Sequence, residues 1–376
     1  MNDRQSGLAT YVTSHGFGHL NRTVAVLNRI PNDIPIHIRC HSNLFDHWRE
    51  RLTRPAEFGA YVSDAGALNP AGDSRATDGP GTLDHARAVH EEAYKRIDDE
   101  IDWMRENRVG AALCDAPPIP LVAARRAGIP AFLLANFTWA DIYDPHARRI
   151  GPGAMAFVRS MRNDYRSATT LFRALPALAM RRVAPTIDVG MVVTPGKNRK
   201  TELKSLLGIK DQDKIVYFYV GRYGQANLNW GRVERFAERG IHFVGFHAAS
   251  AGSPRNFHVV KPTEWTGADL AASADAIVAK AGYGTVCEAM AAGSPLIYPP
   301  RVGFAEHRAL DRALRLWGGG TPVSAREFEE LRLEGAFDRA FAVRPGPPPF
   351  SSEGALIAAR RLVETLLGTS LDSSQV

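Results

Sequence analysis

Ala276-Ile-Val-Ala-Lys280-Ala-Gly282-Tyr283-Gly284-Thr285-Val-Cys-Glu288 runs from an apolar stretch through two glycines into a helical pattern that carries a carboxylate. Ala276 to Ala279 reads as a buried strand, and Thr285 to Ala292 as a helix. Gly282 and Gly284 let the backbone turn and come close to a ligand. The free amides and positive dipole end of such a helix suit a diphosphate, to which Lys280 adds a full charge and Thr285 a hydroxyl. Glu288, one turn inside, can accept both hydroxyls of a ribose. The competing reading is an ordinary strand-to-helix turn with an exposed glutamate. The residues beyond the helix favour the first: Gly293-Ser-Pro-Leu-Ile-Tyr-Pro-Pro300 reads as a second buried strand, and Phe304-Ala-Glu306-His307 puts a polar pair at the mouth of the next helix. A strand–helix–strand unit with polar groups after each strand is how open parallel sheets build ligand sites.

The same alternation recurs twice along the chain. Leu8 to Thr13, Ile36 to Cys40, Ala111 to Cys114 and Ala131 to Leu134 read as strands, with helical patterns over Arg22 to Arg29, His85 to Arg105 and Ile119 to Ala127. Periodicity lapses around Pro176 to Pro185. A second series follows at Ile215 to Val220, Ile241 to Phe246, Ala276 to Ala279 and Leu296 to Tyr298. The expectation is an α/β protein of two similar halves, 1–180 and 186–345, with a last helix in 350–370 packing back on the first. Asn69 to Gly81, rich in Gly, Pro, Asp and Ala, reads as a loop. Asp144 to Arg166 has no interpretable pattern.

The first strand opens directly onto Ser14-His15-Gly-Phe-Gly18-His19-Leu-Asn21. Gly16 and Gly18 match the start of a dinucleotide fingerprint, but Asn21 stands where its third glycine is required and no acidic residue closes the second strand, which sets aside an NAD enzyme. A histidine at the carboxyl end of such a strand can take a proton from an attacking hydroxyl if a carboxylate orients it. Asp115, directly after the strand at Ala111 to Cys114, is that partner for His19. His15 is a second candidate, lining the acceptor or phosphate region. Phe137 and Trp139, on the loop after Ala131 to Leu134, either stack on an acceptor or pack internally.

Bulk properties exclude more than they assign. With 376 residues the chain is long enough for two cores, and 45% hydrophobic content fits a globular protein. The net charge of +6 comes from scattered basic residues without interleaved aromatics, which argues against a nucleic-acid surface. Cys40, Cys114 and Cys287 fall in or beside buried elements and read as reduced core residues; no Cys/His spacing suggests zinc. No apolar run reaches the roughly 18 residues of a membrane span, and no signal peptide opens the chain, so the expected location is cytoplasmic.

With these residues in place, the chain resembles GT-B glycosyltransferases, whose fold is two facing Rossmann-like domains with an inter-domain active-site cleft. Within that class it resembles most the glycosyltransferase-like N-terminal region of plant L-arabinokinases and related bacterial proteins. The match is carried in order by Tyr11-Val-Thr-Ser-His-Gly-Phe-Gly-His19, Asn136-Phe-Thr-Trp-Ala-Asp-Ile-Tyr143 and Lys280-Ala-Gly-Tyr-Gly-Thr-Val-Cys-Glu288. It spans about Leu8 to Ala313. No Gly/Ser-rich ATP loop of the small-molecule kinases is found, so the expectation excludes a sugar kinase.

The resemblance implies roles residue by residue. His19 falls where enzymes using uridine-diphosphate sugars carry the catalytic base, and Asp115 where many carry its partner. Trp265 is similar to the tryptophan that stacks on uracil, and Glu288 to the ribose-binding carboxylate. Lys280, Gly282, Tyr283, Gly284 and Thr285 overlie the phosphate-binding run, with Lys280 in place of the plant His and Gly284 in place of Asn. Glu306 and His307 lie where an acidic residue and Gln hold the donor sugar, and Gly18 and Arg222 complete the expected donor set. The function implied is metal-independent, inverting transfer of a sugar from a nucleoside diphosphate, most simply UDP, to a hydroxyl or amine of a small acceptor. The nucleotide sugar is a co-substrate and no resident cofactor is implied. Alternatives are a nucleotide-sugar sensor without turnover and an epimerase on the same fold.

Overall fold

The computed structural model describes residues 6–70, 76–220, 228–247 and 254–368. The chain divides into two compact units, one built from residues 6–68, 78–193 and 350–368, the other from residues 69–70 and 76–77 together with Thr194–Pro349. The first holds a seven-stranded sheet: β1 (Gly7–Val12), β2 (Ile36–Cys40), β3 (Glu57–Ala60), β4 (Val109–Asp115), β5 (Ala131–Ala135), β6 (Thr170–Ala174) and β7 (Thr186–Gly190), in the order β3-β2-β1-β4-β5-β6-β7. Every pairing is parallel. The second holds β8 (Lys214–Tyr219), β9 (Ile241–Gly245), β10 (Phe257–Val259), β11 (Ala276–Ala279), β12 (Leu296–Tyr298) and β13 (Gly320–Pro322), ordered β10-β9-β8-β11-β12-β13 and again parallel throughout.

Parallel strands covered by helices lose both faces to the core, which is why the central ones are continuous apolar runs. Ala131–Ala135 and Ala276–Ala279 are buried at every position. In the second unit one face of the sheet packs Phe218, Phe243 and Phe257 against Trp230, Phe236 and Phe337. Both sheets are doubly wound, and the strand order reverses between β1 and β4 in one and between β8 and β11 in the other. Ligands of open α/β sheets bind outside the carboxyl ends of the strands at these two places.

Three expectations change. The second unit does not begin at 186: β7 hydrogen-bonds to β6 in the first sheet, through Leu171↔Thr186 and its neighbours, and the second unit starts at Thr194. The helical pattern of His85 to Arg105 is two helices, Gly79–Lys95 and Ile97–Glu106. The first of these takes in Gly79 to Gly81, read as loop, because Asp78 caps the Gly81 amide at 3.1 Å and a proline fits the first helical turn. The final helix, Gly354–Leu367, buries Ala355, Ala358, Ala359, Leu362 and Val363, and packs on the helix Phe17–Leu27 and on β4 and β7. No helix among the described residues is long and apolar enough to cross a membrane.

Candidate functional site

In the first unit β1 ends beside β4, with Val12 opposite Asp115 and the Thr13 amide donating to the Asp115 carbonyl at 3.2 Å. The chain then turns through Gly16, whose φ of +91° disfavours any other residue, and enters the helix Phe17–Leu27. His19, Arg22 and Thr23 stand at i, i+3 and i+4 on one face of that helix. All three converge on Asp115. His19 Nδ1 lies 2.7 Å from Oδ1, Arg22 reaches Oδ2 through Nε at 2.7 Å and Oδ1 through Nη2 at 2.5 Å, and the Thr23 hydroxyl donates to Oδ2 at 2.8 Å. Arg22 Nη1 also donates to Asn136 Oδ1 at 2.5 Å.

Asp115 is 0% exposed. Burial alone would push its carboxyl up, but the Arg22 charge, the His19 charge and the hydrogen bonds from both outweigh it and hold the group at about 2. An ionised carboxylate can only accept, so the ring nitrogen 2.7 Å away must be the one that carries hydrogen. That tautomer leaves the His19 Nε2 lone pair available as a base.

A second buried carboxyl stands behind this pair. Asp64, in the segment after β3, accepts from Trp139 Nε1 at 2.6 Å and from the Thr13 hydroxyl, yet burial outweighs these bonds and pushes it up to about 6. Trp139 and Phe137 are 0% and 3% exposed. They are therefore packing residues and not open stacking platforms for an acceptor. Trp139 meets Phe137 at 5.2 Å and Tyr143 at 5.7 Å, and sets its edge against the His15 ring at 5.2 Å; Phe137 meets the His19 ring at 5.6 Å. His15 lies against Gly66, where a Cβ would stand 1.8 Å from the ring, so only glycine lets the imidazole occupy that place. Tyr165 Oη ties the two loops together, accepting from the Trp139 amide at 3.0 Å and donating to the Ala116 carbonyl at 2.7 Å. Ala116, directly after Asp115, has φ of +81°, a strained backbone of the kind that collects at working sites.

In the second unit β11 delivers Lys280 and Gly282 to the corresponding reversal point, beside β8. The helix starts at Tyr283, two residues earlier than its pattern, so Gly284 and Thr285 lie in its first turn. Gly282 caps it with no side-chain bond, and nothing stands within 4 Å of where a Cβ would be. The space beside Gly282, at the start of the helix, is therefore open. Glu288 is partly buried, near Tyr217, Tyr219 and Gly267, and makes no hydrogen bond or ion pair among the described residues. Burial pushes its carboxyl up to about 7.

That isolation has a measurable consequence. Because the folded-state value lies above the usual 4.5, charging Glu288 costs stability as pH rises from 4.5 through 7, on the order of 3 kcal/mol once complete. Glu288→Gln should raise the melting temperature of the ligand-free protein at pH 8 and change little at pH 4.5. Equal shifts at both pH values would show that the carboxyl is not strained.

Two expected donor contacts are not as the resemblance implied. Trp265 is 2% exposed, and the Arg199 guanidinium covers its ring at 3.9 Å, so the indole has no face open to a base. Glu306 is 4% exposed and paired with Arg301 Nη1 at 3.2 Å, so its carboxylate is already engaged. His307 opens the helix His307–Trp317; its Nδ1 is buried with no hydrogen-bond partner among the described residues, and burial holds its pKa down. Arg222 lies outside the described residues. Arg22, Asp64 and Arg301 were not anticipated. Arg22 had a signal in its i, i+3 spacing from His19, and Arg301 in following the Pro-Pro that ends a buried strand.

No protein-family model matches the chain. Among curated proteins, L-arabinokinase of Arabidopsis thaliana is 26% identical over 371 residues, which cover 98% of this chain and 35% of that protein. Among solved structures, the glycotransferase of kitacinnamycin is 16% identical with a TM-score of 0.62 and covers 99% of each chain. Phytolacca americana UGT2, solved with UDP-2-fluoro-glucose and pterostilbene, is 13% identical with a TM-score of 0.60 over 98% of this chain and 95% of that one. The calicheamicin glycosyltransferase CalG4 is 15% identical with a TM-score of 0.59, over 96% and 94%.

The chain has the GT-B glycosyltransferase fold. In that fold's terms, His19 and Asp115 stand in the first Rossmann-like unit, and Lys280, the helix Tyr283–Ala292 and Glu288 in the second.

Proposed function

We propose that the protein is a glycosyltransferase that moves a sugar from a nucleoside-diphosphate sugar to a hydroxyl or amine of a small-molecule acceptor. The observation that carries this reading is His19, held by ionised Asp115 in the tautomer that leaves Nε2 basic, at the strand reversal of the first sheet. As the acceptor oxygen bonds to the anomeric carbon, Nε2 takes the acceptor proton; the bond from that carbon to the diphosphate breaks, and the electron pair leaves with the diphosphate. Displacement from the opposite side inverts the anomeric configuration. The second unit holds the donor. Lys280 and the first-turn amides of Gly284 and Thr285 face the diphosphate and stabilise its growing charge, and Glu288 accepts the two ribose hydroxyls. This chemistry calls on no metal or resident cofactor.

Support for a nucleotide donor comes from Glu288, whose buried carboxyl has no hydrogen-bond or ion-pair partner among the described residues. The test is a thermal-shift panel with UDP, GDP, ADP and dTDP. A ligand that binds only the folded state at a hundredfold excess over its Kd stabilises by about 2.7 kcal/mol. One diphosphate should shift the melting temperature, with UDP the first expected, and the shift should disappear in Glu288→Ala. No shift with any of the four would contradict the donor assignment. Binding without transfer to any acceptor would favour a sensor, and conversion of a nucleotide sugar with no acceptor present would favour an epimerase.

A further inference from the structure

We infer that Arg301 and Lys280 form a two-cation subsite for an oxyanion carried by the donor. The inference rests on the reading of the second unit as the donor site. β11 and β12 are adjacent parallel strands, paired through Ile277↔Leu296 and Val278↔Ile297, so Lys280 and Arg301 leave the same edge of the sheet two and four residues beyond that register. Arg301 is unusual for its place. Its side chain is 9% exposed, it lies over the Phe304 ring at 4.0 Å, and it pairs with Glu306 through Nη1. Its Nε is buried and has no hydrogen-bond partner among the described residues.

Lys280 has no hydrogen-bond or ion-pair partner among the described residues. Burial, then the Arg301 charge, push its ammonium down to about 8 against a weaker pull from Glu306. Among the described residues two cations thus stand near one carboxylate, which is paired to Arg301, and Lys280 is left without an ion-pair partner. Burying like charges together costs free energy unless an anion joins them. An arginine presents a fixed fork suited to a phosphate or a carboxylate, while a lysine supplies a point charge. Glu306 then acts as the internal stand-in that keeps Arg301 folded inward and oriented, and not as a holder of sugar hydroxyls.

Two sources can supply the oxyanion: the diphosphate itself, or a carboxylate on the transferred sugar. Titration calorimetry of the wild type, Arg301→Gln, Arg301→Lys and Glu306→Gln separates them, using uridine, UDP, UDP-glucose and UDP-glucuronate, or their counterparts with whichever base stabilises the protein. A lost charge-assisted contact weakens binding by roughly 10- to 100-fold. In Arg301→Gln such a loss for UDP and both sugars, with uridine unchanged, assigns the diphosphate. A loss confined to UDP-glucuronate assigns the sugar carboxylate. Arg301→Lys should lose less than Arg301→Gln, and Glu306→Gln, which frees the Arg301 charge, should tighten binding of the same ligands. Wild-type affinities for every ligand in Arg301→Gln and Glu306→Gln would overturn the subsite and leave Arg301 as a clamp on its own loop. Failure of the wild type to bind any nucleotide would instead remove the donor site on which the subsite depends.

Discussion

With His19 as the proposed base, replacing it with alanine should lower the rate of sugar transfer by roughly 10²- to 10⁴-fold, the usual contribution of a positioned general base, and leave nucleoside-diphosphate affinity within about twofold of wild type. The split arises from where the groups stand. His19 belongs to the first unit and the expected nucleotide contacts, Lys280, Thr285 and Glu288, to the second, so the substitution removes a proton acceptor and no nucleotide contact. The ring is held by Asp115 at 2.7 Å and packed by Phe137 at 5.6 Å, so its orientation is set before any substrate arrives. Asp115→Asn keeps the shape but lets the amide donate to Nδ1, which moves the ring proton to Nε2 and blocks the base; it should therefore lose nearly as much as His19→Ala. Steady-state kinetics beside nucleotide titrations of both variants check this, and a His19→Ala enzyme with unaltered kcat would remove the residue from the mechanism.

Replacing Arg22 with methionine destabilises the fold by about 3–5 kcal/mol, the cost of removing one partner of a buried ion pair. Arg22 is 3% exposed and Asp115 is not exposed at all, and the guanidinium is bidentate on the carboxylate. Without it, burial becomes the dominant influence on Asp115 and drives its pKa up. Linkage sets the sign. In the wild type the folded-state value, about 2, lies below the ordinary value of 3.8, so this group contributes stability that is fully present above pH 3.8 and is lost as pH falls through 2. Arg22→Met loses that contribution at neutral pH. Urea denaturation at pH 7 measures the loss, and Arg22→Lys should recover only part of it, because a lysine cannot reproduce the fork that spans both carboxylate oxygens and Asn136. A cost below about 1 kcal/mol would place the pair among surface ion pairs and contradict its burial.

The strands that carry the two sites were legible because they are apolar runs ending in a chemically distinct loop. Ile36–Cys40, Ala276–Ala279 and Leu296–Tyr298 fall where the pattern puts them. Edge strands were not legible. Glu57–Ala60 is largely solvent-facing, and Phe257–Val259 and Gly320–Pro322 lack the unbroken apolar run that marks Leu296–Tyr298. The segment from Asp144 to Arg166 hid two helices, Trp139–Ile150 and Pro152–Tyr165, because Pro145 sits inside the first and Gly151-Pro152 breaks the pattern between them. The start of the first was written locally nonetheless, in the Thr138/Asp141 capping box.

His19 and Asp115 could be paired from sequence because each follows a strand of one sheet. Asp64 could not, since nothing local marks it; its meaning comes from Trp139, 75 residues away, folding its indole onto it. Trp265 shows the opposite failure. A resemblance supplies an identity at a position, but whether a ring face is open depends on what covers it, here Arg199.

Acceptor-dependent release of nucleoside diphosphate is the sharpest test of sugar transfer with His19 as its base. Wild type and His19→Ala would be incubated with sugar donors of the base selected in the thermal-shift panel and with a panel of small phenols, alcohols and amines, scoring diphosphate release together with the mass of the glycosylated product. Release by the wild type should require an acceptor, match product one to one and disappear in His19→Ala. Donor binding with no acceptor-dependent release by the wild type would contradict the transferase assignment, and equal release by both proteins would contradict His19 as its base.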